Sequence, residues 1–228
     1  MPSSSGITFA GETNEYRKAR QKLLNAERKL RREVEKVAAL RRELPDGHVI
    51  PSNYVFEEYD ATSKSEKTVK MSELFTVKGK SLVLYSFMYA KGATPCPMCT
   101  SFLDALNGAA LHASKQVNLA VVARGPVKQL RAYANKRKWN NLRMLSSANN
   151  RYNQDYLAEA QDGSQLPMLN VFKKTRNQVR HFYTTEIFFA PNEPGQHPRH
   201  MDFLFPMWAL FDLTKEGRPN DWFPQTEY

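Results

Sequence analysis

The apolar and polar positions change period several times along the chain. Leu23, Leu30, Val37 and Leu44 recur every seven residues, with Ala26, Val34 and Leu40 beside them and charged residues on the other faces. This pattern predicts one long helix over residues 13–44, with Thr13 as its N-cap and Pro45 as its stop. Tyr54 to Tyr59 alternates as a β-strand. Thr68 to Lys70 is placed to pair back as a hairpin, and Met71 to Phe75 reads as a short helix. Ser81 to Tyr89 is apolar at both parities, the mark of a central strand covered on both sides. Helical spacing returns in Phe102, Leu103, Leu106, Ala110 and Leu111. Val117 to Ala123 is a second buried strand, and Pro126 opens a helix carrying Val127, Leu130 and Ala134. A short strand at Arg143 to Leu145 follows. Leu169 to Phe172 and Val179 to Tyr183 flank a polar turn, residues 190–200 form a Pro-rich loop, and Phe203 to Leu213 is a final helix. Strand and helix alternate first, implying right-handed parallel crossovers, and the late strand pair implies an antiparallel hairpin. The expected fold is therefore α/β: a thioredoxin-like mixed sheet flanked by helices, with a long N-terminal helix. The expected organisation is a disordered tail at 1–12, a helical arm at 13–45 and a thioredoxin-like domain at 46–228.

Composition refines this picture in two places. The chain has 228 residues and a formal net charge of +10, unevenly placed. Residues 13–44 hold eleven Lys/Arg against five Glu, a net +6 on the arm alone. A basic segment of this kind attracts anionic partners by long-range steering or forms a solvated helix face. Its cations are interleaved with Glu and lack aromatic stacking groups, which disfavours nucleic acid. The narrow apolar stripe has two outlets, the chain's own globular body or a second copy, and the length of the arm favours a homodimer. The most apolar run, Leu82 to Ala90, is too short to cross a bilayer, so no membrane partner is expected. Met1 to Gly11 lacks a basic n-region and an apolar h-region, and the expected location is cytoplasmic.

The two cysteines carry the chemistry. Cys96-Pro97-Met98-Cys99 contains every cysteine of the chain, so the pair closes no long loop and staples nothing. It stands between a buried strand and a helix. A sulfur at a helix N-terminus meets free N–H groups and the positive end of the helix dipole, and both favour the thiolate. Cys96 is thus the expected nucleophile. Cys99, one turn inside, is the expected resolving thiol that attacks the mixed disulfide. Zinc is the main rival reading, because C-P-x-C also occurs in zinc knuckles; the other is a non-catalytic interaction protein on the same fold, whose basic arm recruits a partner. A closed site needs four ligands, and His197 and His200 would have to complete it from a Pro-rich loop about a hundred residues away. Arg124 falls at the carboxyl end of the second buried strand, where ligands of open α/β sheets gather, and is a candidate for the thiolate or an anionic substrate. No cofactor is called for. The expected partner is a thiol or disulfide substrate, either a protein or a small thiol.

Several stretches resemble a thioredoxin-superfamily family known as a domain of unknown function. They are Arg41-Arg42-Glu43-Leu44-Pro45, Tyr54-Val55-Phe56, Leu82 to Met88, Cys96 to Cys99, Val122 to Pro126, Leu166 to Phe172 and Leu210 to Arg218. The resemblance implies a thioredoxin-like fold with an N-terminal helical arm and brings no substrate. In thioredoxin-like proteins a cis-proline before the late strand lies against the active-site sulfurs and pairs with an incoming chain. Pro167, in Gln165-Leu166-Pro167-Met168-Leu169, is its counterpart here and a candidate substrate-binding residue. The W-C-G-P-C of thioredoxin is not matched, and C-P-M-C stands nearer the glutaredoxin C-P-Y-C. The entry from Tyr54 to Lys80 resembles peroxiredoxin-like domains, but the peroxiredoxin P-x-x-x-T/S-x-x-C pattern is found around neither cysteine, which argues against a peroxidase.

Overall fold

The computed structural model describes residues 6–60, 62–176, 178–191, 193–194, 201–219 and 221–228. The chain divides into two units, Met1–Pro45 and Asp46–Tyr228. The first contains α1 (Asn14–Arg42), whose N-cap Thr13 accepts the Tyr16 N–H at 3.1 Å. Glu12 pairs with Arg17 and Arg20, and the Arg20 guanidinium lies 4.5 Å above the Phe9 ring, which ties the leading segment to the first turns. Leu23, Leu30, Val37 and Leu40 of its apolar stripe are all exposed.

Among the described residues of the second unit, seven strands form one mixed sheet. They are β1 (Val55–Asp60), β2 (Ser65–Lys70), β3 (Leu82–Ser86), β4 (Asn118–Ala123), β5 (Met144–Ser146), β6 (Met168–Thr175) and β7 (Gln178–Thr184). Their order is β2-β1-β5-β4-β3-β6-β7. β3, β4 and β5 run parallel, linked by α2 (Pro97–Ala113) and α3 (Val127–Lys136). β6 pairs antiparallel with β3 and then with β7 as a hairpin. A parallel β–α–β unit joined along one strand to an antiparallel hairpin, with a helix to follow, is the thioredoxin-like arrangement. That helix is α5 (Pro206–Asp212).

Side-chain alternation divides the interior into two layers. Tyr85, Phe87, Val121, Ala123 and Leu169 pack on α2, α3 and α5. Leu82, Leu84, Ala120, Val122 and Phe172 pack on the other face against Tyr54, Phe56 and α4 (Tyr152–Asp155). The central position of β3, with Leu84 and Tyr85 both fully buried on opposite faces, explains its two-sided apolar run.

Three elements differ from the sequence expectation. α4 is a single turn held by buried Tyr152 and Asn153 and is too short to show a period. Pro126 is the N-cap of α3 rather than its first helical residue. The last helix begins at Pro206, because Met201 and Phe203 have φ of +54° and +66°, outside the right-handed helical region. No described helix is long and apolar enough to cross a membrane.

Candidate functional site

Cys96 is placed by main-chain contacts that begin in the central strand. β3 ends at Ser86, and Phe87 N–H continues its register by donating to Val122 O at 2.8 Å. The chain then turns through residues 88–95. Cys96 N–H returns to Met88 O at 3.2 Å, closing this loop at its base. Gln129 of α3 holds the far side, donating through Nε2 to Ala90 O at 2.8 Å and accepting Gly92 N–H at 3.0 Å. Gly125 N–H donates to Tyr89 O at 2.8 Å, and a Cβ at position 125 would lie 2.9 Å from that oxygen, so the approach requires glycine. Asp104 fastens α2 to the end of α3, accepting from Trp139 Nε1 at 2.8 Å and from the Arg137 guanidinium.

Cys96 is the N-cap of α2, and Pro97 occupies the first helical position, where its missing N–H costs nothing. The Cys99 N–H points back and donates to Cys96 Sγ at 3.3 Å. Both thiols are free; Cys96 is half-buried and Cys99 is fully buried. The two sulfurs are driven apart electrostatically. The Cys96 thiol is brought down to about 7, chiefly by the Cys99 side chain as hydrogen-bond donor and then, against a desolvation cost, by the Cys99 and Met98 N–H groups. Burial pushes Cys99 well up, and the neighbouring Cys96 charge adds to this. The Tyr85 hydroxyl hydrogen-bonds to Cys99, easing its ionisation, and burial beside that sulfur raises Tyr85 in turn. The arrangement is one ionisable, accessible sulfur touching one buried, protonated sulfur, with a phenol behind the second.

Arg124 is engaged elsewhere. Its Nη1 donates to Ser147 O at 2.7 Å, Ala148 O at 3.1 Å and Asn150 O at 3.2 Å, and its Nε pairs with Glu159 at 2.8 Å. These contacts fasten the loop after β5, and the shift of Cys96 arises from Cys99, Met98 and burial. Pro167 directly precedes Met168, which pairs with Ser86 of β3, so it enters the sheet beside the strand that leads to the dithiol. Its peptide bond is trans, as are all those described, which corrects the cis expectation. Trans is the ordinary preference of an X–Pro bond. Among the described residues no group of three or more His, Cys, Asp or Glu could hold a metal ion; His197 and His200 lie outside them.

Sequence reasoning missed Tyr85 and Gln129. A signal existed for Tyr85: a phenol inside a buried strand needs a polar partner, and strand parity turns it toward α2. Gln129 left no such mark, because a polar residue in the first turn of a helix is ordinary.

Residues 8–228 match the model of a family described as "Bacterial protein of unknown function (DUF899)". No curated protein matches the sequence. Among solved structures, a peroxiredoxin-like protein from Aquifex aeolicus is 16% identical with a TM-score of 0.43, over 63% of this chain and 76% of that one. Reduced Prx3 of Vibrio vulnificus in complex with H2O2 is 15% identical with a TM-score of 0.46, over 68% and 91%. The exposed lipoprotein thioredoxin of Streptococcus pneumoniae is 16% identical with a TM-score of 0.40, over 70% and 99%.

Proposed function

Since the chain belongs to this family, whose description names no reaction, we propose from its own site that it is a thiol–disulfide oxidoreductase working through Cys96 and Cys99. The carrying observation is the asymmetry of the pair. Cys96 Sγ caps α2, receives the Cys99 N–H and ionises near pH 7, whereas Cys99 is buried and held protonated.

The exchange follows from that asymmetry. The Cys96 thiolate attacks one sulfur of a substrate disulfide. A Cys96–substrate disulfide forms, and the other substrate sulfur leaves as a thiolate that takes a proton from water. Cys99 then gives its proton to the departing substrate sulfur, with the Tyr85 hydroxyl donating to the developing thiolate. It attacks Cys96 Sγ and expels the second substrate thiol. The substrate gains two electrons and the protein holds the Cys96–Cys99 disulfide, which a thiol reductant opens by the reverse steps. The strand entry at Pro167 offers a place for a peptide substrate beside the dithiol. Arg124 is a loop-holding residue in this scheme.

Trapping tests the proposal. With Cys99→Ser the mixed disulfide cannot resolve, so incubation with a disulfide-bonded protein should give a covalent adduct that dithiothreitol releases, and Cys96→Ser should give none. Equal adducts from both variants would refute the assignment. So would stoichiometric zinc in the purified protein that is lost on Cys96→Ser.

A further inference from the structure

A cavity opens on the sheet face opposite Cys99. Its volume is about 840 Å³, within the range of small-molecule sites, and His48, Tyr156 and His181 are among its lining residues. Tyr156 belongs to the layer that contains Leu84 and Phe172, whereas Cys99 belongs to the layer of Tyr85 and Leu169, so the sheet lies between cavity and dithiol.

Three rings form one wall. His48 stacks on His181 with centroids 5.4 Å apart and 25° between planes; His48 and Tyr156 are 6.2 Å apart at 13°. The main chain sets this wall. His181 N–H donates to His48 O at 3.0 Å, and Val49 bridges to Arg180 along the outer edge of β7. A Cβ on Gly47 would lie 2.4 Å from His181 O, so only glycine lets the segment come this close. The side chain of His181 is fixed as well, its Nε2 lying 2.7 Å from Thr184 Oγ1.

Leu157 stands at the mouth. It is 63% exposed and has φ of +56°, an unfavourable backbone for a branched residue. The lining holds two carboxylates and no Lys or Arg; Asp155 accepts the Tyr54 hydroxyl at 2.7 Å and pairs with Arg151 at 3.7 Å, which leaves the exposed Glu186 as the carboxylate turned to a ligand. On a chain of net charge +10 this is an aromatic hollow with a carboxylate at its rim. Burial and the neighbouring His48 depress the pKa of His181, which keeps its imidazole neutral at neutral pH.

We propose that this cavity is a binding site for a small planar aromatic cation, separate from the dithiol. The rings would take the flat face of the ligand, Leu157 would cover it, and Glu186 would select its charge.

The test uses full-length protein and proflavine, a planar acridine that is cationic at neutral pH, followed by fluorescence polarisation. One saturable site per chain is expected. Binding should persist in Cys96→Ser and weaken at least about tenfold in Leu157→Gly, which relieves the backbone while removing the apolar cover. Glu186 is exposed, so Glu186→Lys tests charge selection without threatening the fold and should weaken binding to a similar extent. The anionic aromatic probe 8-anilinonaphthalene-1-sulfonate should bind far more weakly than proflavine. Unsaturable proflavine binding, unchanged affinity in Leu157→Gly and Glu186→Lys, or equal affinity for the two probes would overturn the proposal. Loss of binding in Cys96→Ser would instead place the ligand at the dithiol.

Discussion

The largest influence lowering the Cys96 pKa is the hydrogen bond from the Cys99 side chain, ahead of the Cys99 and Met98 N–H groups. This ranking separates two variants that both destroy the dithiol. Cys99→Ser keeps a side-chain donor, whereas Cys99→Ala removes it and leaves the backbone donors in place. Either variant leaves Cys96 as the sole cysteine, so the thiolate absorbance at 240 nm reports one group between pH 5 and 9. A thiol at about 7 is half ionised at pH 7, and a free one near 8.5 is about 3% ionised there. Cys99→Ser should therefore titrate close to 7. Cys99→Ala should titrate between 7 and 8.5, with its thiolate fraction at pH 7 reduced by up to about 15-fold. The midpoint is the quantity to measure, because a more basic thiolate is intrinsically more nucleophilic and partly masks the shift in a rate. The linked stability has a definite sign. A depressed folded-state pKa gives Cys99→Ser a contribution that is full above the unfolded value near 8.5 and is lost as pH falls through 7. Coincident midpoints for the two variants would refute the side-chain hydrogen bond as the main cause. Two midpoints near that of a free thiol would refute the helix-cap placement itself.

Other perturbations probe neighbouring parts. Tyr85→Phe removes only the hydroxyl behind Cys99; the first attack by Cys96 should proceed at the wild-type rate, while release of the mixed disulfide, followed by quenched flow, should slow by about tenfold. Arg124→Leu leaves Glu159 and three carbonyls without their partner and should destabilise the protein by about 2–4 kcal/mol in urea unfolding, with the Cys96 midpoint unmoved; a shifted midpoint would restore Arg124 to the thiolate. For α1, whose heptad stripe is exposed, we propose pairing with a second copy. Light scattering should give a dimer for the full chain and a monomer for Leu30→Glu combined with Val37→Glu, and a monomeric wild type at high concentration would end that idea.

The parts legible in the sequence are those written as local periods and local motifs. The seven-residue stripe and Thr13 located α1 to within two residues at its far end, because helix formation and capping depend on neighbours within one or two turns. The two-sided apolar run at Leu82 announced the central strand, and C-P-M-C with proline at the first helical position announced a sulfur on a helix end. What the tertiary structure alone decided depends on residues far apart in the chain. Arg124 was legible as a residue at a strand end; that Ser147 O, Asn150 O and Glu159 would claim its guanidinium follows only once β4 and β5 lie side by side. Pro167 was legible as a strand entry, but its place beside the strand leading to the dithiol follows only once Met168 pairs with Ser86. Tyr85 reaches Cys99 because strand parity and the crossover of α2 together turn it inward. The cavity at His48 and His181 needs a glycine that passes a carbonyl 134 residues further along the chain. Periodicity reports which face of an element is buried and not what is buried against it, so the chemistry of contact between distant segments appears only when the sheet is assembled.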